Sequence, residues 1–393
     1  MNKKQTVLLV HNYYKIPGGE DTVVSNEKRL LEEHGHRVFL YTRSNQELDS
    51  YSVWKKLLLP FTALFSFRTY REVKRLIKKE KIDVVHVHNT LSLISPSVYY
   101  AAFSCGIPVI QTMHNFRMLC PSATFVREGE ICEDCVSNGL GCSVRHACYR
   151  GSKLQTLVSA SVLKLHRMLG TYRRLFYICL TDFNRGKLLQ LNRKNKMVVC
   201  ESNIFVKPNF VWCLQEQPVQ KKDFYIYVGR LDSLKGILFL LEGWKDLPKK
   251  KLLVCGSGTE EKRIRQYLEK NQMSQVELLG QLSHEKVICL LAEARALVMP
   301  SLWYEGQPMV ILESYAVGTP VLASDLGNVG NMVLPGVTGL CFAPGNAREL
   351  KQAVERFETI KTWNTKAVYE KLYEPEKNYE MLKEIYGEAR ERR

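Results

Sequence analysis

Short apolar runs alternate with longer amphipathic stretches along the first two hundred residues. Residues 6–11, 37–41, 83–88 and 108–114 form runs of strand length that are rich in Val, Leu and Ile. Residues 21–33 carry apolar side chains at helical spacing, and a His-Gly pair ends that helix. Strands that alternate with helices favour a parallel sheet built from βαβ units. The first half of the chain is therefore predicted to be an α/β domain.

The alternation starts again after residue 205. Further strands are predicted at 224–228, 251–255, 276–279, 296–299 and 320–323. Residues 208–221 show no period and contain two prolines, so they are predicted to link the two domains. Two such domains that face each other would form a cleft lined by strand ends and helix N-termini, which suits a phosphate-bearing ligand.

Composition and charge narrow the class of protein. The chain has 393 residues, of which 45% are hydrophobic and 24% charged, so a disordered protein is excluded. No apolar run reaches the roughly 18 residues of a spanning helix. The start lacks the apolar core of a signal peptide, which predicts a cytoplasmic location. A net charge of +16 favours polyanionic partners: nucleic acid, anionic lipid or phosphorylated small molecules.

Two cations lie in a glycine-bounded loop after the first strand of the second domain. Arg230 and Lys235 belong to the stretch Gly229-Arg-Leu-Asp-Ser-Leu-Lys-Gly236, which is predicted to lead from a strand into a helix. A forked cation and a compact cation five residues apart suit a diphosphate. The alternative is a solvated loop with two ordinary surface charges.

A pair of glutamates seven residues apart follows the strand at 296–299. Glu305 precedes a glycine and a proline, and Glu313 lies inside an apolar run. A carboxylate among apolar residues needs a hydrogen-bond partner, and ribose hydroxyls would supply one. The alternative is acidic charge that complements the N-terminus of a helix.

In this order the motifs resemble those of the GT-B retaining glycosyltransferases of family 4, or glycosyl transferases group 1, of the capsular and cell-surface polysaccharide type. The likeness covers nearly the whole chain. It rests on four features: Gly18-Gly19 after the first strand, His114 after a later strand, Gly229-Arg230 with Lys235-Gly236, and the Glu305/Glu313 pair followed by Gly318-Thr-Pro-Val321.

The resemblance implies an α/β fold of two Rossmann-like domains that face a central cleft. Residues 1–207 would be the acceptor-side domain, and residues 222–365 would bind the nucleotide sugar. Residues 366–393 would be C-terminal helices that pack back toward the N-terminal domain.

The same resemblance implies roles for single residues. His114 and Glu305 would be catalytic and contact the donor sugar. The donor-binding residues would be Gly18, Gly19, Arg230, Lys235, Glu313 and Gly327, with the two cations on the diphosphate and Glu313 on the ribose. The chain departs from the family pattern at Asn331, where many relatives are acidic, and at Lys207-Pro-Asn-Phe210. These departures affect the donor contacts more than the reaction class.

The implied reaction is hexosyl transfer from a nucleotide-diphosphate sugar to a saccharide acceptor, expected to be lipid-linked, in cell-surface polysaccharide biosynthesis. The chain has no Asp-x-Asp, the usual carboxylate clamp for a catalytic divalent ion, so no cofactor is expected for catalysis. The first rival is a sugar-nucleotide epimerase of the same architecture. A basic nucleic-acid-binding protein is a second, although no known module is visible. His86 and His88 are interpreted either as cleft residues or as structural histidines.

Five of the twelve cysteines fall within residues 120–148. The two-residue gap between Cys132 and Cys135 is typical of a zinc knuckle. Together with Cys142 and Cys148, or with His146 as an alternative ligand, they are predicted to bind one structural zinc. The alternatives are free thiols or disulfides.

A basic and apolar stretch lies in the N-terminal domain. Residues 53–81 carry nine lysines and arginines against two glutamates, beside one tryptophan and three phenylalanines. Such a segment suits anionic lipid headgroups, and residues 153–174 are a second candidate. The predicted partner is an anionic membrane surface at the inner face of the cytoplasmic membrane. The alternative is a buried helix with a solvated basic side.

Overall fold

A computed structural model describes residues 4–15, 18–193, 197–213 and 219–392. Pro17 of the predicted first loop and residues 214–218 of the predicted linker lie outside the described residues. The chain forms two compact units. The first comprises Met1–Phe125, Cys132–Asn209 and Asn378–Arg393, and the second comprises Val126–Ile131 and Phe210–Lys377.

Most strands belong to two parallel sheets, one in each unit. The strands are β1 Thr6–Tyr13, β2 Arg37–Ser44, β3 Val84–Val87, β4 Val109–Met113, β5 Val126–Arg127, β6 Glu130–Ile131, β7 Phe176–Cys179, β8 Ile204–Val206, β9 Tyr225–Val228, β10 Leu252–Cys255, β11 Val276–Gly280, β12 Ala296–Met299, β13 Val321–Ser324 and β14 Gly339–Phe342.

Helices connect almost all of these strands. They are α1 Gly19–Glu33, α2 Val53–Leu64, α3 Phe67–Glu80, α4 Ser97–Ser104, α5 Asp134–Ser137, α6 Gly141–Arg145, α7 Lys153–Met168, α8 Asp182–Leu189, α9 Ile237–Trp244, α10 Glu261–Lys270, α11 His284–Glu293, α12 Met309–Ala316, α13 Gly327–Met332, α14 Ala347–Phe357, α15 Thr365–Leu372 and α16 Pro375–Glu391. None of the helices in the described ranges has both the length and the apolar character needed to span a bilayer.

The sheet of the first unit has six parallel strands in the order β2-β1-β3-β4-β7-β8. The chain goes from β1 outward to β2 and then returns to the other side of β1 to form β3. The gap between the carboxyl ends of β1 and β3 is therefore the switch point, where open α/β sheets bind ligands. Val7 pairs with Val84 and Val85 with Val109, which fixes the register of these strands.

The sheet of the second unit has the order β11-β10-β9-β12-β13-β14, again all parallel. Here the switch point lies between β9 and β12. The antiparallel pair β5-β6 is a separate two-stranded sheet. The two six-stranded sheets confirm the predicted α/β fold class.

Buried aliphatic side chains explain why these segments are strands and helices. In the first unit Val7, Leu9 and Ile110 pack with Leu382 and Tyr386 of α16. In the second unit two clusters cover the two faces of the sheet, one around Trp244 and one around Tyr315. All nine predicted strands are present, with ends shifted by up to three residues, whereas β5, β6, β7, β8 and β14 were not predicted.

Candidate functional site

The loop after β9 lies at the switch point of the second sheet. Gly236 has a φ of +72°, and a Cβ added there would lie 1.9 Å from the carbonyl oxygen of Pro300. No side chain fits this space, so glycine lets the loop approach the end of β12. Gly258 is similarly close, because a Cβ there would lie 2.4 Å from the Leu231 oxygen. The loops at this edge of the sheet are therefore packed backbone against backbone.

Lys235 and Glu305 form an ion pair at this edge. Lys235 Nζ lies 2.7 Å from Glu305 Oε1, and Ser301 Oγ and Trp303 Nε1 each donate to the same oxygen at 2.8 Å. The Glu305 side chain is 8% exposed and that of Lys235 is 18% exposed. Burial would raise the pKa of Glu305, but Lys235 and the two other donors hold that pKa below its usual value. Glu305 is thus an ionised carboxylate that fixes the position of the Lys235 ammonium.

Arg230 is the second predicted cation of the loop. Its guanidinium lies 3.2 Å from Asp232 Oδ2, and its side chain is 59% exposed. Asp232 Oδ1 also accepts the backbone N–H of Lys235 at 3.1 Å. Asp232 therefore shapes the turn that carries both cations, while the Arg230 guanidinium stays in solvent.

Glu313 has a partner that the sequence did not indicate. Its Oε1 lies 3.0 Å from His284 Nε2, and the Glu313 side chain is 13% exposed. The hydrogen bond to Glu313 raises the pKa of His284 above its usual value. The predicted need of Glu313 for a partner is met within the protein by His284, which leaves the other carboxylate oxygen for a ligand.

Gly327 begins α13, with a φ of +53°. The next side chain, Asn328, is buried and donates to the carbonyl oxygen of Glu305 at 2.7 Å and to that of Gly306. This amide ties the start of α13 to the loop that carries Glu305. The structure thus brings Lys235, Glu305 and the Gly327 turn together, whereas Arg230 and Glu313 contact Asp232 and His284.

The first unit places Gly18 and Gly19 at the N-terminus of α1. Gly18 is the residue before the first helical turn, and its N–H donates to Asp21 Oδ2 at 3.0 Å. The other oxygen of Asp21 lies 2.7 Å from His11 Nε2. Asp21 therefore takes the Gly18 N–H that the resemblance assigns to a ligand.

His114 follows β4 and lines a pocket of the first unit. The cavity volume of this pocket is about 70 Å³, and Asn115, Arg117 and residues of α2 and α7 also line it. His114 Nε2 lies 2.9 Å from His88 Nδ1, and the two rings stack with centroids 5.2 Å apart. Burial lowers the pKa of His114 to about 3, so the imidazole is neutral at physiological pH.

Behind His114 lies a buried polar network. Glu27 Oε1 is 2.9 Å from Lys207 Nζ, and Glu27 Oε2 is 3.4 Å from both His86 Nδ1 and His88 Nε2. All four side chains are fully or almost fully buried. His88 thus belongs to the site, while His86 is held by Tyr386 at 2.8 Å and Thr112 at 2.7 Å. Glu27 is a charge on the apolar stripe of α1, and that irregularity was the available signal.

Glu20 is another group that the sequence did not single out. Burial, and then the charge of Asp21, raise the pKa of Glu20 to about 7. Asn89 Nδ2 lies 3.4 Å from Glu20 Oε1, and the charge of Arg117 opposes the rise. A carboxyl group that titrates near neutrality therefore lies beside the His114 pocket.

None of the twelve cysteines forms a disulfide. A metal ion needs several His, Cys, Asp or Glu ligand atoms close together. In the described ranges, one group of three such side chains has its ligand atoms within 4.8 Å of one another: Glu27, His86 and His88. The insert cysteines do not form such a group. Cys135 faces the Cys120 thiol and the Ser143 hydroxyl. The zinc site at Cys132, Cys135, Cys142 and Cys148 stays a prediction, as does the alternative ligand His146.

Helices α2 and α7 expose an apolar surface, called here the α2–α7 surface. The two helices meet where His166 Nε2 contacts the Leu64 oxygen at 3.1 Å. Of the twelve residues of α2 only Ala63 is buried. The exposed apolar residues are Val53, Trp54, Leu57, Leu58 and Phe61 on α2, and Leu154, Leu157, Leu165 and Met168 on α7. An exposed apolar surface of this kind is typical of an interaction site. The alternative, a buried helix with a solvated basic side, does not hold for α2. It does hold for α3, which buries Thr69, Val73 and Ile77 and exposes basic side chains, namely Arg68, Arg71, Arg75, Lys78 and Lys79.

Comparison with known proteins gives matches over both units. Residues 17–127 match the family model described as Glycosyltransferase Family 4, and residues 214–384 match the one described as Glycosyl transferases group 1. Over 132 residues the chain is 33% identical to an uncharacterized glycosyltransferase of Methanocaldococcus jannaschii. This match covers 34% of this chain and 37% of that protein.

Longer matches are weaker in sequence. The chain is 22% identical over 389 residues to the alpha-monoglucosyldiacylglycerol synthase of Streptococcus pneumoniae, covering 93% of this chain and 81% of that protein. HepE of Anabaena, solved in complex with UDP and glucose, has a TM-score of 0.65 at 16% identity, covering 98% and 100% of the two chains. The chain spans about a third of the length of the first curated relatives that it matches.

Proposed function

We propose that this protein, which has the GT-B fold with a glycosyltransferase family 4 domain and a glycosyl transferases group 1 domain, transfers a sugar from a nucleotide diphosphate to an acceptor. The observation that supports this most is the Lys235–Glu305 pair at the switch point of the second sheet. A cation held at that edge by a buried carboxylate suits a phosphate-bearing ligand.

The proposed chemistry follows from where charge develops. When the bond between the anomeric carbon and the diphosphate breaks, negative charge grows on the phosphate oxygens. Lys235 and Arg230 would oppose that charge, and a preorganised cation stabilises the transition state more than the ground state. Lys235, Ser301 and Trp303 all donate to Glu305 Oε1, so we propose that Oε2 meets a hydroxyl of the donor sugar. The family resemblance also assigns His114 to the donor sugar.

Finer features of the reaction are proposals with indirect support. The family resemblance supports retention of the anomeric configuration. HepE, a structural neighbour, was solved with UDP and glucose, which supports a hexose donor. The two loop cations support transfer without a metal ion, so a chelator should leave turnover unchanged.

The experiment that tests the donor site compares three variants. Arg230→Gln changes a side chain that is 59% exposed, so its fold should be intact and its turnover should fall by about a hundredfold. Lys235→Met should have an effect at least as large. Lys270→Met, an exposed lysine at the end of α10, is the control and should keep full turnover. Full activity in both loop variants would refute the assignment.

The donor base can be found with a thermal-shift panel of UDP-, GDP- and ADP-sugars, because a ligand that binds only the folded protein raises the melting temperature. A nucleotide-release assay addresses the epimerase alternative. A glycosyltransferase should release free nucleotide only when an acceptor is present, whereas conversion of the donor into an isomeric sugar nucleotide without acceptor would favour the epimerase.

We further propose a lipid-linked acceptor in cell-surface polysaccharide biosynthesis, at the inner face of the cytoplasmic membrane. Ala63 of α2 and Ser159, Val162 and Leu163 of α7 line the His114 pocket, and the other side of both helices is the α2–α7 surface. Lys55, Lys56 and Lys153 are exposed on the same helices. Each basic residue near an anionic leaflet contributes about 1 kcal/mol of binding free energy. Several such residues, together with aromatic side chains that insert into the bilayer, give reversible binding.

Sedimentation with vesicles tests this membrane contact. Wild-type protein should bind phosphatidylglycerol-containing vesicles, bind neutral phosphatidylcholine vesicles less, and dissociate as salt is raised. Trp54→Ser with Phe61→Ser should weaken binding, because both side chains are exposed and their loss leaves the fold intact. Leu372→Ser, an exposed leucine of the second unit, is the control. Equal binding to both vesicle types, or to neither, would favour a soluble acceptor.

A further inference from the structure

A chain of buried groups leads from Lys207 to the rim of the His114 pocket. Lys207 Nζ contacts Glu27 Oε1 at 2.9 Å, and Glu27 Oε2 lies 3.4 Å from His88 Nε2. His88 Nδ1 in turn lies 2.9 Å from His114 Nε2. Apart from these contacts and the 3.4 Å approach of His86, Glu27 Oε2 and His88 Nε2 have no hydrogen-bond partner in the part of the chain that the structure describes.

The protonation state of each member follows from its surroundings. Burial alone would raise the pKa of Glu27, but the charges of Lys207 and His86 hold it below its usual value, so Glu27 is a carboxylate. Burial lowers the pKa of both His88 and His114, so each ring is neutral and carries a single N–H. Two neutral imidazoles in contact must divide the roles, one ring donating and the other accepting.

Glu27 decides which ring donates. A carboxylate oxygen only accepts, so the proton of His88 is stable on Nε2, where it faces Glu27. His88 Nδ1 is then bare and accepts, and His114 Nε2–H must donate to it across the 2.9 Å contact. The remaining nitrogen of His114, Nδ1, carries no proton.

We propose that Glu27 is a positioning residue that, through His88, holds His114 in the tautomer with a bare Nδ1, so that His114 accepts a hydrogen bond from a hydroxyl of the sugar substrate. The part played by that acceptor rests on the proposed function, whereas the tautomer itself does not. His114 thus selects a ligand with a hydroxyl donor at this point and brings no positive charge there.

The same contacts predict which substitution reverses the direction of these hydrogen bonds. In a Glu27→Gln variant, Lys207 Nζ can still only donate, so the new amide oxygen faces Lys207 and the new NH₂ faces His88 Nε2. His88 must then accept at Nε2 and donate from Nδ1. His114 Nε2 then accepts the hydrogen bond from His88, and the proton of His114 is on Nδ1. His114 Nδ1 thereby changes from an acceptor to a donor toward the substrate.

The first test is read on the wild-type protein, and a variant serves only to assign the signals. Long-range ¹H–¹⁵N correlation spectra of ¹⁵N-histidine-labelled protein distinguish a bare ring nitrogen from a protonated one. With nine histidines in the chain, His114 is assigned by the signal lost in His114→Asn. The expected result is a bare Nδ1 and a protonated Nε2 at His114, and a protonated Nδ1 would overturn the proposal.

The second test uses Glu27→Gln and a matched control. The variant should show the opposite tautomer at His114, bind UDP as the wild type does, and bind UDP-glucose about tenfold more weakly. Tyr386→Phe removes a hydroxyl of the same network that is hydrogen-bonded to His86 at 2.8 Å and not to His88 or His114 among the described residues, so it should change neither the spectrum nor binding. An unchanged His114 tautomer in Glu27→Gln would refute the role of Glu27. Absence of sugar transfer by the wild type would contradict the proposed function alone.

Discussion

Acid should destabilise the first unit because His86 is buried in its neutral form. The His86 side chain is 0% exposed, and burial lowers its pKa to about 4. The charge of Glu27 raises this pKa, but its effect is smaller than that of burial. In an unfolded chain a histidine titrates near 6.5. Below pH 6.5 the unfolded chain therefore binds a proton that the folded chain does not, so stability is full above that pH and falls as the pH drops toward 4.

The size of the effect follows from these two pKa values. Between pH 7 and pH 5 the linkage relation gives a loss of about 2 kcal/mol for His86 alone, equivalent to a roughly 20-fold larger unfolded fraction. The charged and titratable groups that face His86 are Glu27, His88, Lys207 and Tyr386, and the Thr112 hydroxyl contacts its Nε2. His88 also has a lowered pKa, so it adds to the loss in the same direction. A His86→Gln variant should lose about 2 kcal/mol less than the wild type over this pH range.

Thiol labelling can follow the two units separately. Cys179 lies on β7 in the first unit and Cys255 on β10 in the second, and both are buried. Labelling with 4,4′-dithiodipyridine across a urea series, read by peptide mass spectrometry at pH 7 and pH 5, gives the stability of each unit. Cys255 serves as the internal control. If wild type and His86→Gln lose equal stability at Cys179, then His86 is not a buried neutral group and the reasoning fails.

Three other predictions concern the buried ion pair, a loop glycine and the cysteine insert. Lys207→Met leaves the buried Glu27 carboxylate without its cation and should cost about 3–5 kcal/mol, measured by Cys179 labelling at pH 7, whereas a change within 1 kcal/mol would mean that the pair is solvated. Gly236→Ala places a Cβ 1.9 Å from the Pro300 oxygen, so it should lower the melting temperature and weaken nucleotide-sugar binding. Gly345→Ala, at a similar φ of +74° but with open space around it, should cost only about 1 kcal/mol, and equal effects of the two changes would contradict the close approach. Elemental analysis of protein purified under reducing conditions should find one zinc per chain, less in Cys132→Ser, and protein without stoichiometric metal would remove the zinc site.

Local patterns were enough to predict most of the fold. Apolar runs bounded by glycine and proline predicted nine strands, because a strand buried on both faces is almost uniformly apolar. The β7 strand, Phe176–Cys179, was missed because its four residues follow residues 153–174, which were interpreted together as one basic amphipathic stretch. The short β8 strand, Ile204–Val206, lies in a segment that merges into the predicted linker.

The candidate site was predictable only where its chemistry is local. The loop from Gly229 to Gly236 carries its cations within eight residues, so its spacing was visible. Glu27 and Lys207 are 180 residues apart and meet only in the folded unit. The partner of Glu313, His284, is likewise on another helix. No spacing rule relates such residues, because three-dimensional packing alone brings them together.

The two-sided arrangement of α2 and α7 has a consequence for how turnover would be measured. One side of these helices lines the His114 pocket, and the other exposes Trp54 and its apolar neighbours. The concentration of a substrate that would enter between such helices from a bilayer is a surface concentration, expressed per unit of area rather than per litre. Its effective concentration then follows its mole fraction among the lipids, so diluting it with inert lipid should slow the reaction even when its amount in the tube is constant. Rates recorded with a detergent-dispersed acceptor would accordingly depend on the ratio of detergent to acceptor.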